Sequence, residues 1–182
     1  MTVGRIKAIL FDLGDTLIAE LDGPADVDTT EFKVLDGVAD VLQKLKSVYK
    51  LAIVSNTFSW GDKEVSGALS RKDLTRFFDA IVTSVDAGSR KPDDGIYRKA
   101  LDLLACAPDQ AIMVGDRVDT DIAGANMIGI TSILCRWNDR YPMEVNDENL
   151  LPDYVIGSMK ELPVLIDWLD NNDDFGEKNP QL

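Results

Sequence analysis

The chain has 182 residues, 45% of them hydrophobic and 28% charged, which fits one soluble globular domain with a single sizeable core and leaves little room for two. Its formal charge of −13, from 32 acidic against 19 basic residues, repels nucleic-acid phosphates, and the absence of histidine removes the usual general base and the usual zinc or iron ligand. Any chemistry must therefore run on carboxylates, hydroxyls, lysines and hard, oxygen-ligated cations such as magnesium (Mg2+). The acidity serves solubility equally well. No apolar run approaches the roughly 20 residues of a membrane span. Met1 to Ile6 lacks the apolar region of a signal peptide, so the sequence reads as a cytoplasmic protein without a membrane partner. Cys106 and Cys135 are far apart and read as buried thiols rather than as a disulfide or a metal site.

The first apolar run, Ile6–Leu13, has the length of a strand buried on both faces. It leads into Gly14-Asp15-Thr16-Leu17, so Asp12 falls at the carboxyl end of a strand, where open α/β sheets place their ligands. Taken alone, Asp12 reads equally well as a turn cap. Residues 18–33 form a short insert that carries Glu20, Asp22, Asp26, Asp28 and Glu31 with no cation before Lys33, either an acidic flap at the mouth of a site or a solvated loop. Val34–Val48 then places Val34, Val38, Val41, Leu42 and Leu45 on one helical stripe.

A second strand, Leu51–Ser55, ends on a hydroxyl followed by the Asn56 amide. Phe58 and Trp60 come next, with site lining, a subunit contact and ordinary packing all open to them. After a third strand, Ala80–Thr83, the segment Arg90-Lys91-Pro92-Asp93 opens a helix over Asp94–Ala105, the proline being pre-set for a first turn. By itself Lys91 is a surface lysine. A fourth strand, Ala111–Gly115, finishes on Asp116, and Asp119 and Asp121 start a helix running to Ile128 that contains Gly124-Ala125. Carboxylates there often only cap the positive helix end, worth about 0.3–1 kcal/mol.

The fifth strand is Thr131–Cys135, the stretch Trp137–Asn149 borders the same end of the sheet, and a short strand at Tyr154–Gly157 and a helix near Glu161–Leu169 complete the pattern. Strands alternating with helices imply right-handed crossovers and a parallel sheet, a single α/β domain over residues 1–170. Residues 171–182 are polar, acidic and aperiodic, the composition of a flexible tail.

Joint order carries more than any one ending. Phe11-Asp12-Leu13-Gly14-Asp15-Thr16-Leu17, Ser55, Arg90-Lys91-Pro92-Asp93, and Val114-Gly115-Asp116 through Asp121-Ile122-Ala123-Gly124-Ala125 together resemble the four motifs of the haloacid dehalogenase-like superfamily, across roughly Ile6 to Cys135. The resemblance implies a three-layer α/β/α, Rossmann-like sheet of order 5-4-1-2-3 and a magnesium-dependent phosphatase. It makes Asp12 the nucleophile that forms an aspartyl-phosphate, Ser55 a hydrogen-bond donor to phosphate with Asn56 shaping the pocket, and Lys91 the balancing charge that restrains Asp12. It gives the metal to Asp12, the Gly14 carbonyl and Asp116, with Asp121 orienting the hydrated ion or ligating it. Substrate selection in the superfamily comes from cap insertions, and both available intervals here are short. The implied partner is a small-molecule or larger phosphorylated substrate, and a capless or minimally capped, open site suits a large one, or one enclosed by a neighbouring subunit.

One departure bears on turnover. Phosphatases of the superfamily usually carry a second aspartate two residues after the nucleophile, as acid for the leaving alcohol and base for water, and here that position is Gly14. Asp15 is adjacent, but consecutive residues on a turn point in different directions. Three readings follow: a slow phosphatase or one using good leaving groups, a dehalogenase- or phosphonatase-type hydrolase that needs no such acid, and a catalytically quiet module that binds metal or phosphate.

Overall fold

The computed structural model describes residues 5–20, 29–141, 147 and 150–171. Asp22, Asp26 and Asp28 of the acidic insert, part of the 137–149 stretch and the tail beyond Asn171 lie outside them.

Apolar runs make the central layer. Strands β1 (Ala8–Phe11), β2 (Lys50–Ser55), β3 (Ala80–Thr83), β4 (Ala111–Gly115), β5 (Thr131–Cys135) and β6 (Tyr154–Ile156) form one parallel sheet ordered β3-β2-β1-β4-β5-β6. The order implied by the resemblance is present, with β6 added beyond β5. Because side chains alternate across a strand, Ile9, Phe11, Ile53, Ile112, Val114 and Ile133 face one helical layer. There they meet α1 (Val38–Lys46), α2 (Asp62–Ser70) and α6 (Leu162–Asn171). Ala8, Leu10, Ala52, Val54 and Met113 face the other, made by α4 (Asp94–Leu104) and α5 (Ala123–Ile128), while the one-turn α3 (Ser84–Ala87) joins β3 to that side. The small residues on this second face let α4 lie close, and Tyr97 fills the gap fully buried, donating its hydroxyl to the Thr120 carbonyl at 2.8 Å.

Several boundaries differ from the sequence reading for identifiable reasons. Helix α1 starts at Val38 rather than Val34, because Gly37 is left-handed (φ 78°) and Val34 is tied in an extended bridge to Ile18. The proline of the Lys91–Pro92 pair precedes α4 instead of occupying its first turn, since the helix begins at Asp94. Residues Val118–Ile122 form one π-helical turn before α5, so the expected helix over 119–128 has an irregular start. Cys135 is buried as expected, whereas Cys106 is only half-buried.

Between β1 and α1 the described residues contribute the bridges Gly14–Ile18 and Ile18–Val34, and between β2 and β3 stand only α2 and a 3₁₀ turn at Thr75–Phe77. Neither interval holds a large cap among the described residues. No helix among them is long and apolar enough to cross a membrane.

Leu42 is completely buried between α1 and the sheet. Its replacement by alanine is expected to cost about 2–5 kcal/mol in urea unfolding, through lost transfer energy and a residual cavity.

Candidate active site

The winding of the sheet reverses between β1 and β4, and there the carboxyl ends of two adjacent strands leave a crevice. Asp12 extends the alternation of Ala8 and Leu10, so its side chain emerges towards the α4 and α5 layer. From that layer comes Lys91, whose Nζ lies 2.5 Å from Asp12 Oδ1 and 2.6 Å from Asp121 Oδ1. Far from being a surface lysine, Lys91 is 3% exposed. Burial alone would pull its pKa down, but the charges of Asp12 and Asp121 more than offset this and the net displacement is upward.

The lysine is held from both directions. Asn56, one residue beyond β2, donates its amide Nδ2 to the Lys91 carbonyl at 2.9 Å and accepts the Lys91 N–H on Oδ1 at 2.8 Å. That reciprocal pair engages both ends of the amide, so Asn56 shapes the site by clamping Lys91. Asp121 is fully buried and accepts the Arg117 N–H on its other oxygen at 3.0 Å. Gly115 is what makes room for it: a Cβ at that position would lie 2.3 Å from Asp121 Cγ, inside any tolerable contact.

Asp116 completes the cluster from the end of β4. One of its oxygens is 3.5 Å from the Thr16 hydroxyl, and the other, Oδ2, is buried without a hydrogen-bond partner among the described residues. Burial first, then the charges of Asp12 and Asp121, push the Asp116 carboxyl up to about 9. Oxygens of Asp12, Asp116 and Asp121 all lie within 4.8 Å of one another. Three ionised carboxylates facing one ammonium would leave excess negative charge in a desolvated crevice, so without a cation Asp116 holds a proton near neutral pH, and a cation that enters takes that proton's place. An all-oxygen donor set with an orphaned buried oxygen suits a hard divalent ion.

Other expected residues separate into those near this point and those away from it. Ser55 is buried at the carboxyl end of β2, on the opposite flank of β1 from Asp116. Asp119 is an exposed partner of Arg117 at 2.8 Å, outside the cluster. Glu31 pairs with Lys72 at 3.0 Å, Phe58 is exposed, and Trp60 packs half-buried against the core. Asp15 does not point into the site. Its carboxylate accepts the Glu20 N–H at 3.0 Å and the Arg140 guanidinium at 3.1 Å, while its carbonyl accepts Trp137 Nε1 at 2.6 Å. Trp137 and Arg140 thus brace the turn after Asp12, a role their sequence positions after β5 do not signal.

The sequence pattern of the haloacid dehalogenase-like hydrolases matches residues 15–135. The chain belongs to this family. Over 137 residues, 73% of this chain and 58% of the relative, it is 31% identical to the glyceraldehyde 3-phosphate phosphatase of Methanopyrus kandleri. Over 136 residues, 74% of this chain and 52% of the relative, it is 28% identical to the N-acylneuraminate-9-phosphatase of Mus musculus. The chain therefore spans just over half the length of these curated relatives. Among solved structures, the HAD-hydrolase YfnB of Bacillus subtilis, bound to magnesium, aligns with a TM-score of 0.72 over 89% of this chain and 99% of that one; at 18% identity the likeness is one of fold.

Charge excess in this haloacid dehalogenase-like crevice has a measurable consequence. Asp116→Asn is expected to raise the melting temperature of the cation-free protein near neutral pH, because the buried carboxyl, pushed up to about 9, must take up a proton on folding and the amide need not. Magnesium should stabilise the unaltered protein, by about 2.7 kcal/mol at a concentration one hundred times its Kd, and should lose that effect in the variant. Calorimetric melts with and without the ion check both.

Proposed function

We propose that this domain is a phosphoric monoester hydrolase that works through an aspartyl-phosphate on Asp12. The observation that carries the reading is the buried meeting of Asp12 with Lys91 beside the partnerless oxygen of Asp116. In this reading one Asp12 oxygen attacks phosphorus in line, the bond from phosphorus to the ester oxygen breaks, and water then cleaves the acyl phosphate to release inorganic phosphate and restore the carboxylate. Lys91 holds Asp12 in the attacking position and balances charge on the phosphoryl oxygens, an electrostatic role whose loss typically costs a few kcal/mol. Ser55 donates to a phosphoryl oxygen from the opposite flank.

Magnesium is the fitting cofactor, and Asp12, the Gly14 carbonyl and Asp116 would hold it. Asp121 anchors Lys91 and lies close enough to orient the ion's shell. When bound, the ion neutralises phosphate charge that the carboxylates would otherwise repel.

The names of the two phosphatase relatives support a small phosphorylated metabolite as substrate. A haloacid is the weaker reading, because its displacement needs no cation and gives the carboxylate excess no purpose.

Asp12→Asn should retain the fold and lower magnesium-dependent hydrolysis of 4-nitrophenyl phosphate by at least about 10⁴-fold, since the nucleophile is gone. A panel of phosphate esters with a 2-haloacid control tests the substrate class. Undiminished turnover in the variant refutes the mechanism, and cation-independent halide release would favour the dehalogenase reading.

A further inference from the structure

The position that lacks the family's second aspartate is not spatially empty. A Cβ built on Gly14 would lie 2.4 Å from Glu20 Oε2, 2.8 Å from Glu20 Cδ and 3.0 Å from Glu20 Oε1. The first of these is about the distance that separates a Cβ from its own carboxyl oxygens in aspartate. Glu20 therefore delivers a carboxyl group into the volume that an aspartate at position 14 would occupy, two residues from Asp12.

Its placement is built, since the backbone leading to it is tied down. Ile18 bridges both Gly14 and Val34, the Ala19 N–H donates to the Lys33 carbonyl at 2.8 Å, and the Glu20 N–H donates to Asp15 Oδ1 at 3.0 Å. Asp15 in turn is fixed by Arg140 and Trp137. The neighbouring aspartate is thus committed to orienting Glu20 and cannot serve as the acid itself. Glycine at position 14 is the residue that leaves the Glu20 carboxyl its space.

Resting on the phosphatase reading above, we infer that Glu20 is the general acid and base of the reaction, supplied from the insert in place of the absent aspartate. In the first half, Asp12 bonds to phosphorus, the bond from phosphorus to the leaving oxygen breaks, and that oxygen takes the proton of the Glu20 carboxyl. In the second half, the Glu20 carboxylate takes a proton from water as the water oxygen bonds to phosphorus and the bond to Asp12 breaks. Glu20 ends protonated, Asp12 as a carboxylate, and phosphate leaves.

The test compares leaving groups in Glu20→Gln, which keeps the shape and removes the proton function. For an alkyl phosphate, kcat/KM should fall about 10²-fold or more, while for 4-nitrophenyl phosphate, whose leaving group needs no proton, it should change by less than about threefold. With the aryl ester the variant should also show a first-turnover burst and accumulate phosphorylated protein, because the water step lacks its base. In Glu20→Ala, adding Gly14→Asp should recover part of the alkyl turnover, since the Gly14 backbone is not left-handed and the vacated space accepts the side chain. On the unaltered background Gly14→Asp should give no gain, two carboxyls then competing for one volume. Equal loss on both esters, or no loss on either, overturns the assignment, as does absence of rescue in the folded double variant. If the unaltered protein cleaves no phosphate ester, the phosphatase reading itself falls and this role with it; aryl cleavage without leaving-group dependence in Glu20→Gln overturns the Glu20 role alone.

Discussion

One buried ammonium holds together two carboxylates that would otherwise repel each other, and the rest of the site is arranged around that contact. Lys91 reaches Asp12 from the α4 side and Asp121 from the π turn before α5, so three separate segments of chain meet at one nitrogen. Such a centre is stable only if its partners are fixed, because an ion pair out of water loses hydration that loose geometry cannot repay. The Asn56 clamp on the lysine backbone and the Arg117 N–H on Asp121 provide that fixity. Asp116 is left outside the pairing, and its unmatched oxygen turns a structural ion pair into a site with an appetite for a cation.

Missing side chains matter as much as those present. Gly115 lets the Asp121 carboxylate press against the end of β4, and Gly14 leaves a space that Glu20 enters from the following loop. At both positions a carboxyl group from elsewhere in the chain occupies the volume of a side chain that is not there. The consequence is a crevice more acidic than its strand-end residues alone would make it, which strengthens the case for a bound divalent ion.

Much of this was legible in the sequence, and the pattern of success follows from range. Runs such as Ala8–Phe11 and Ala111–Gly115 are apolar at every position because the sheet is covered on both faces, so the strands, and hence the strand-end positions of Asp12 and Asp116, could be read directly. Lys91 was placed by its order among the motifs, although nothing local distinguished it from a surface lysine. What could not be read depends on contacts between distant loops. Trp137 and Arg140 reach Asp15 across more than one hundred positions, and the seating of Glu20 against Gly14 depends on the Ile18 bridges to both Gly14 and Val34. Val34 itself misled, because its apolar spacing fits the α1 stripe while Gly37 interrupts the helix behind it.

The central claim is that carboxylates from neighbouring strands share one divalent ion at the point where the sheet reverses. Crystals soaked in manganese, a scattering substitute for magnesium, address it through anomalous difference maps. The account predicts one dominant peak within about 2.0–2.3 Å of an oxygen from each of Asp12 and Asp116, close to the main-chain oxygen of Gly14. An ordered ion elsewhere, or full occupancy of the crevice by water alone at millimolar metal, would contradict it.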